Sequence, residues 1–249
     1  MGRSLILFSL LCFSGLVVAT SKEIRIVGGK DAADGAYPHQ VSLLKRGDHS
    51  CGGSIIHSEW VVTAASCVHQ QPESSLTVLA GTNRLSGGGT LHRVLASYVH
   101  PKYNPDTYDN NVAVLRVQLI NFNPKTRKIE LERSPVSENE FLMVTGWGFT
   151  SSPPTSNPDN LKELGLLTLN TKVCSSLLNR PIPPGQFCTL PSFGEGTCAG
   201  DTGGPLTNPY RRLAGVAQAF NYPCGVGLPD VHLEISNYYQ WINDQCNCL

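Results

Sequence analysis

Short apolar runs rich in Val, Ile and Leu recur along the chain, separated by turn-forming residues. They cover His39 to Leu44, Trp60 to Ala65, Leu76 to Ala80, Arg93 to Val99, Val112 to Val117, Phe141 to Thr145, Leu161 to Leu169 and Leu213 to Phe220. Runs of this length and β-branched content predict strands. Clusters such as Ser86-Gly87-Gly88-Gly89 and Ser151-Ser152-Pro153-Pro154 predict the turns between them. No helical stretch alternates with the strands, so the pattern points to an all-β fold of antiparallel sheets rather than βαβ units. Only the end looks helical: Ile235, Tyr238 or Tyr239, and Ile242 fall at helical spacing, with Ser236 as a candidate cap. The polar segment Asn121 to Pro135 carries Lys125, Arg127, Lys128, Glu130, Glu132 and Arg133 and reads as a solvated link between two halves.

Length and charge narrow the picture only a little. A chain of 249 residues is long enough for one large β domain or two small ones. Its 19 basic and 19 acidic side chains balance, so no overall field favours nucleic acid or heparin. The N-terminus adds more: Arg3, the apolar run Leu5 to Val18 and the small-residue stretch Val17-Val18-Ala19 read as a signal peptide over residues 1–19. The run is short and is followed by polar Thr20-Ser21-Lys22-Glu23, a poor membrane span. A secreted, extracellular destination is therefore expected. Of nine cysteines, Cys12 lies in the leader and eight remain. An even number in a secreted chain, without CxxC pairs, favours disulfides over metal, and no cofactor is expected.

Several longer motifs then appear in a fixed order: Ile26-Val27-Gly28-Gly29, Cys51-Gly52-Gly53-Ser54, Thr63-Ala64-Ala65-Ser66-Cys67, Asn110 to Leu115, Gly146-Trp147-Gly148, and Gly194-Glu195-Gly196-Thr197-Cys198 running into Gly200-Asp201-Thr202-Gly203-Gly204-Pro205. On these motifs the chain resembles the chymotrypsin/trypsin-like serine proteases, and especially arthropod members, over nearly all of residues 26–249. The resemblance implies two six-stranded antiparallel β barrels, about 26–130 and 131–249, with a cleft between them and a C-terminal α-helix. It implies disulfides Cys51–Cys67, Cys174–Cys188 and Cys198–Cys224. It also implies a pro-segment, 20–25, cut at Arg25-Ile26, so that the freed Ile26 amine pairs with buried Asp201 and orders the neighbouring loop.

Each active position of the implied triad is substituted. Ser66 stands where the general base belongs, Asn111 replaces the orienting aspartate, and Thr202 replaces the serine nucleophile. An alcohol becomes a useful nucleophile only when a neighbouring base takes its proton, and imidazole suits that task because it titrates near neutrality. A serine hydroxyl at 66 does not titrate there. An amide at 111 offers no charge to an imidazolium, and the extra methyl of Thr202 stiffens its side chain. His69 and Asp109 lie close to the vacated positions in sequence, but a working triad needs contact at every link. The oxyanion donors are the backbone N–H groups of Gly200 and Thr202, which survive substitution, so binding without turnover is chemically open.

The implied specificity pocket also departs from the family. Phe220 or Asn221 stands where a glycine normally lets substrate pass, which predicts a narrowed pocket. Gly196 replaces the aspartate of trypsin-like members. Asp230 matches a wall position that either favours a basic side chain or is itself solvated or ion-paired. Cys246 and Cys248 have no partner in the family pattern. A disulfide between them would be strained, so an intermolecular bridge and free thiols both stay open. Together these features predict a secreted, zymogen-like protease homologue that is no enzyme, similar to the inactivated protease paralogues of the scabies mite. Such a chain would bind a protein partner, as a decoy or as a regulator of a proteolytic or complement-type immune cascade. The competing expectations are a secreted chymotrypsin-like endopeptidase with an atypical site, and a structural or storage role.

Overall fold

The computed structural model describes residues 27–150, 156–219 and 223–248. Its strands, in chain order, are β1 (Lys30–Asp31), β2 (Gln40–Lys45), β3 (Asp48–His57), β4 (Trp60–Thr63), β5 (Leu76–Ala80), β6 (Thr90–Val99) and β7 (Ala113–Val117). There follow β8 (Glu130–Leu131), β9 (Phe141–Gly146), β10 (Lys162–Leu169), β11 (Gln186–Thr189), β12 (Pro205–Thr207), β13 (Arg212–Ala219) and β14 (Asp230–Glu234). Strands β2 to β7 close a first antiparallel barrel in the order β2-β3-β4-β7-β6-β5. A second ring, β10-β11-β14-β13-β12-β9, closes through β9–β10 pairing, with β1 added to β10 and β8 to β13. The expected two-barrel, mostly β fold is present.

Alternation explains the second barrel. Along β10, Leu164, Leu166 and Thr168 are buried while Gly165 and Leu167 face outward, the period-two arrangement of a strand with one face on a core. Leu142, Val144, Leu206 and Phe187 complete that core. The predicted run Leu161 to Leu169 matches β10 closely, as Leu76 to Ala80 matches β5.

The chain ends hold the barrels together. β1 precedes the first barrel in sequence yet pairs with β10 of the second, Lys30 opposite Glu163. The C-terminal helix α2 (Ile235–Cys246) leaves the second barrel and buries Ile235, Tyr238 and Ile242 in the core of the first. Helical spacing predicts those contacts, but Ser236 is not the cap. Glu234 holds the N-cap position, and its carboxylate accepts a hydrogen bond from Val136 N at 2.7 Å. A short helix α1 (Thr171–Leu178) is not anticipated by the apolar pattern. Its start is fixed by Asn170, whose side chain accepts from Lys172 N and Val173 N, satisfying two of the donors that open a helix.

The three disulfides implied by resemblance are formed: Cys51–Cys67, Cys174–Cys188 and Cys198–Cys224. The tail requires a correction. Cys246 and Cys248 bond to each other, with Cα atoms 5.1 Å apart, inside the ordinary range for a disulfide. The left-handed turn at Asn247 brings them together, and neither sulfur is left for a second molecule. Non-reducing electrophoresis should therefore show a monomer, and an alkylating thiol probe should label the native chain nowhere among residues 27–248. A dimer band that collapses on reduction would contradict this pairing.

Candidate active site

The site forms where β3 and β4 of the first barrel meet the 200–204 loop of the second. Gly52 N donates to the Thr202 carbonyl at 2.8 Å. A Cβ on Gly52 would lie 2.6 Å from Gly204 Cα, so the contact requires glycine. After β4 the chain makes a single tight turn, Ala65–Cys67, tied to β3 by Cys51–Cys67. Cys67 Sγ lies 3.7 Å from the Thr202 carbonyl oxygen. The turn that carries Ser66 thus lies against Thr202.

Asn111 is fully buried just before β7, and its Oδ1 accepts a hydrogen bond from Ser66 N at 2.7 Å. Its backbone oxygen takes Ala65 N at 3.2 Å. The amide therefore sits directly against the residue it would have to orient. Its Nδ2 is buried with no partner among the described residues, an orphan donor of the kind that normally costs stability.

Among the described residues no base is hydrogen-bonded to the Thr202 side chain. All seven histidines are described, and each is engaged elsewhere or remote from the loop. His49 bonds Ser42 Oγ at 2.8 Å and the Gly200 carbonyl at 3.0 Å, and burial lowers its pKa to about 4. His69 stacks edge-on against Tyr103, with ring centroids 5.3 Å apart. His100 packs on Tyr238 and Trp241, His232 bonds Thr189, His92 bonds Thr90, and His57 accepts from Glu59 N. His39 lies in a different cavity. Asp109 lies in the loop before Asn111, where its charge acts on Tyr238. His69 and Asp109 thus do not rebuild the triad. His49, which no spacing singles out, is the histidine nearest the loop, and it supports the Gly200 backbone rather than Thr202.

The oxyanion frame is built by Gly200 and Asp201. Gly200 holds φ at +100°, and a Cβ there would meet Asn157 Nδ2 at 2.8 Å and Gly148 Cα at 3.0 Å. No described residue takes the hydrogen bonds of the Gly200 or Thr202 amides. Asp201 is fully buried between them. Its Oδ1 accepts from Gly148 N at 2.7 Å and its Oδ2 from Cys198 N at 2.9 Å. Burial pushes its pKa up to about 6, against those two hydrogen bonds. Arg25 and Ile26 lie outside the described residues. Val27 is described: its carbonyl accepts from Gly196 N at 2.9 Å, and it packs on Cys198 and Cys224.

In the specificity pocket, Phe220 and Asn221 lie outside the described residues. Gly196 is buried, and a Cβ there would come within 3.0 Å of Asp230 Oδ2. Asp230 is buried rather than solvated and has no ion-pair partner among the described residues, which corrects that expectation. It is buried in β14, and its Oδ2 accepts from Thr197 N at 2.7 Å. Burial pushes its pKa up to about 7, with the Asp201 charge a smaller cause. Because the folded pKa is raised, the protonated form is favoured on folding, and that stability is lost as pH rises through about 7. Urea titrations of the parent and of Asp230→Asn should show the parent's relative stability falling between pH 4 and pH 7 as Asp230 leaves its ordinary carboxylate range. Parallel curves would refute the assignment.

Beside these residues a cavity of about 500 Å³ is lined by Asp106, Tyr108, Asp109, Arg180, Pro181 and Gln218, among others. Gln218 follows Ala217, whose carbonyl accepts from Gly203 N at 2.8 Å, so the cavity adjoins the 200–204 loop. The Gln218 Oε1 is buried without a donor among the described residues. Among the described residues no group of His, Cys, Asp and Glu side chains is placed to hold a metal, and no helix is long and apolar enough to cross a membrane.

Comparison with known proteins agrees with this geometry. A family model described as Trypsin matches residues 26–242. A trypsin of Phaedon cochleariae is 32% identical over 237 residues, covering 92% of this chain and 91% of that one. Trypsin epsilon of Drosophila erecta is 32% identical, covering 88% and 86%, and trypsin Blo t 3 of Blomia tropicalis is 32% identical, covering 87% and 84%. A solved structure described as neuropsin, a serine protease expressed in the limbic system of mouse brain, superposes with a TM-score of 0.82 at 27% identity. It covers 88% of this chain and 98% of that one. These findings overturn the expectation that the chain is no enzyme. The relatives are named as trypsins and the structural neighbour as a serine protease, so substitution at three positions does not remove the chain from a class of peptidases. With the two-barrel frame, the disulfides and the full span of similarity in agreement, the chain belongs to the trypsin family.

Proposed function

We propose that this trypsin-family chain is secreted and acts chiefly by holding a segment of a partner protein in its cleft, with hydrolysis slow. The role proposed is that of a decoy or regulator in a proteolytic or complement-type immune cascade. The observation that carries this reading is the Ser66 N to Asn111 Oδ1 hydrogen bond of 2.7 Å. The triad's scaffold is assembled in place, yet the two groups that would withdraw and store the proton of residue 202 are a hydroxyl and an amide. Binding elements persist beside them. The Gly200 and Thr202 amides are free to meet a carbonyl oxygen. Asp106 and Asp109 outnumber the one cation of the adjoining cavity, Arg180, and with the Gln218 carbonyl give it acceptors suited to a basic side chain. Four disulfides and the leader-like N-terminus support an oxidising, extracellular setting. The processing proposed at Arg25-Ile26 is supported by Val27, already seated against Gly196.

The test uses protein cleaved after Arg25 and a fluorescent peptide panel differing only in a central Arg, Leu or Glu. The Arg peptide should bind most tightly by anisotropy and be recovered intact by mass spectrometry after hours. Rapid cleavage would favour an endopeptidase with an atypical site. Absence of binding by every peptide would favour a structural role.

A further inference from the structure

A second cavity, of about 480 Å³, shares no residue with the cleft. It opens where the link between the barrels meets β9 and the β12–β13 turn, and its size is that of a small-molecule site. Its surface is mostly apolar, with Pro38, Phe141, Met143 and Pro209 in the lining and Phe141 left 47% exposed. At its edge stand Arg127 and Arg211. Neither has a carboxylate partner among the described residues, whereas the neighbouring Lys128 is paired with Glu130 at 2.8 Å.

Arg211 is exposed, but its backbone is fixed. Its φ is +58°, in a turn organised by Asn208, whose Oδ1 accepts from Tyr210 N at 3.1 Å and Arg212 N at 3.0 Å. The Asn208 amide is in turn anchored on Glu132 at 2.9 Å. The wall includes His39, only 8% exposed, whose Nε2 has no hydrogen-bond partner among the described residues. Burial, with a smaller contribution from the charge of Arg211, lowers the His39 pKa to about 4, so the ring is neutral near pH 7. An apolar floor, two guanidinium groups with no ion-pair partner among the described residues, the mutually paired Lys128 and Glu130, and a buried imidazole nitrogen line one enclosure.

We propose that this pocket binds a small organic carboxylate with an aromatic body, the carboxylate held by Arg127 and Arg211 and the ring lying on Phe141 and Pro209 beside His39. Guanidinium pairs recognise carboxylates through paired, charge-assisted hydrogen bonds, and the neutral imidazole offers one further polar contact at the wall.

The probes are naphthylacetate and its uncharged amide, titrated calorimetrically into the full-length protein. The acid should bind about tenfold or more tightly than the amide, the expected worth of a charge-assisted contact. The double variant Arg127→Gln, Arg211→Gln, altered only at exposed positions, should lose that preference while still melting cooperatively. Equal affinity for acid and amide, a preference that survives in the double variant, or no binding of either at millimolar concentration would each overturn the proposal.

Discussion

Replacing Ser66 by His, Asn111 by Asp and Thr202 by Ser in one chain is expected to raise kcat/KM for a peptide substrate by about 10⁴-fold or more. The frame for the restored groups is already present. The Asn111 oxygen lies 2.7 Å from Ser66 N, so a carboxylate at 111 would face the backbone of residue 66 without rearrangement. Its second oxygen would replace the orphan Nδ2 and accept the imidazole N–H of a histidine at 66. Single replacements should gain little. Ser66→His alone places its ring against an amide that cannot stabilise the imidazolium, and Thr202→Ser alone leaves an alcohol without a base. Groups that act as a unit are strongly non-additive. Measuring parent and triple variant on one substrate cancels differences in pocket width, so the ratio reports the chemistry at 66, 111 and 202. A triple variant no faster than its parent would show that the frame is misplaced.

Asp201→Asn is expected to destabilise the protein by about 2–4 kcal/mol near neutral pH, lowering Tm by roughly 5–15 °C for a chain of this size. Both carboxylate oxygens accept from buried backbone donors, Gly148 N and Cys198 N. An amide keeps one acceptor and turns an NH₂ toward the other donor, while relief of the buried charge, which burial holds at a pKa of about 6, offsets part of this cost. The surroundings cannot relax to accommodate it, because Gly146 and Gly148 bring backbone so close that a Cβ on either would come within 2.1 or 2.2 Å of the carboxylate oxygens. Asp201 also lies between the two oxyanion amides, so the same change should loosen their alignment. Cleavage after Arg25 should act in the opposite direction, through a new amine able to approach the carboxylate. Differential scanning calorimetry reads both effects, and an unchanged Tm for Asp201→Asn would mean that these hydrogen bonds carry little weight.

The strands that read clearly from the chain are those whose own side chains alternate or cluster, such as β5 and β10. β3 does not, because Cys51-Gly52-Gly53-Ser54 has the composition of a turn. Gly52 is required by a contact with Gly204, and Gly53 by close packing on Val41 and Val61, neither of which a local pattern reveals. Helix α1 escapes notice because it is short and rests on the Asn170 cap rather than on an apolar stripe. The substituted triad is legible because each change sits inside an intact motif. Asp230 is harder: its environment depends on Thr197 and Gly196, brought to it by the fold, and only those neighbours show a buried acid rather than a solvated one. The Cys246–Cys248 bond likewise depends on the left-handed turn at Asn247. The cavity around His39 joins segments around residues 38, 127, 141 and 209, and nothing local marks it.

Thr202→Ala removes the hydroxyl at the nucleophile position and nothing else of the frame. If no group accepts a proton from the Thr202 hydroxyl, then protein cleaved after Arg25, purified in parallel in both forms, should hydrolyse a peptide amide at the same rate with or without that hydroxyl. A loss of about 100-fold or more in the alanine variant would show that Thr202 attacks with the help of a base, and would contradict the account.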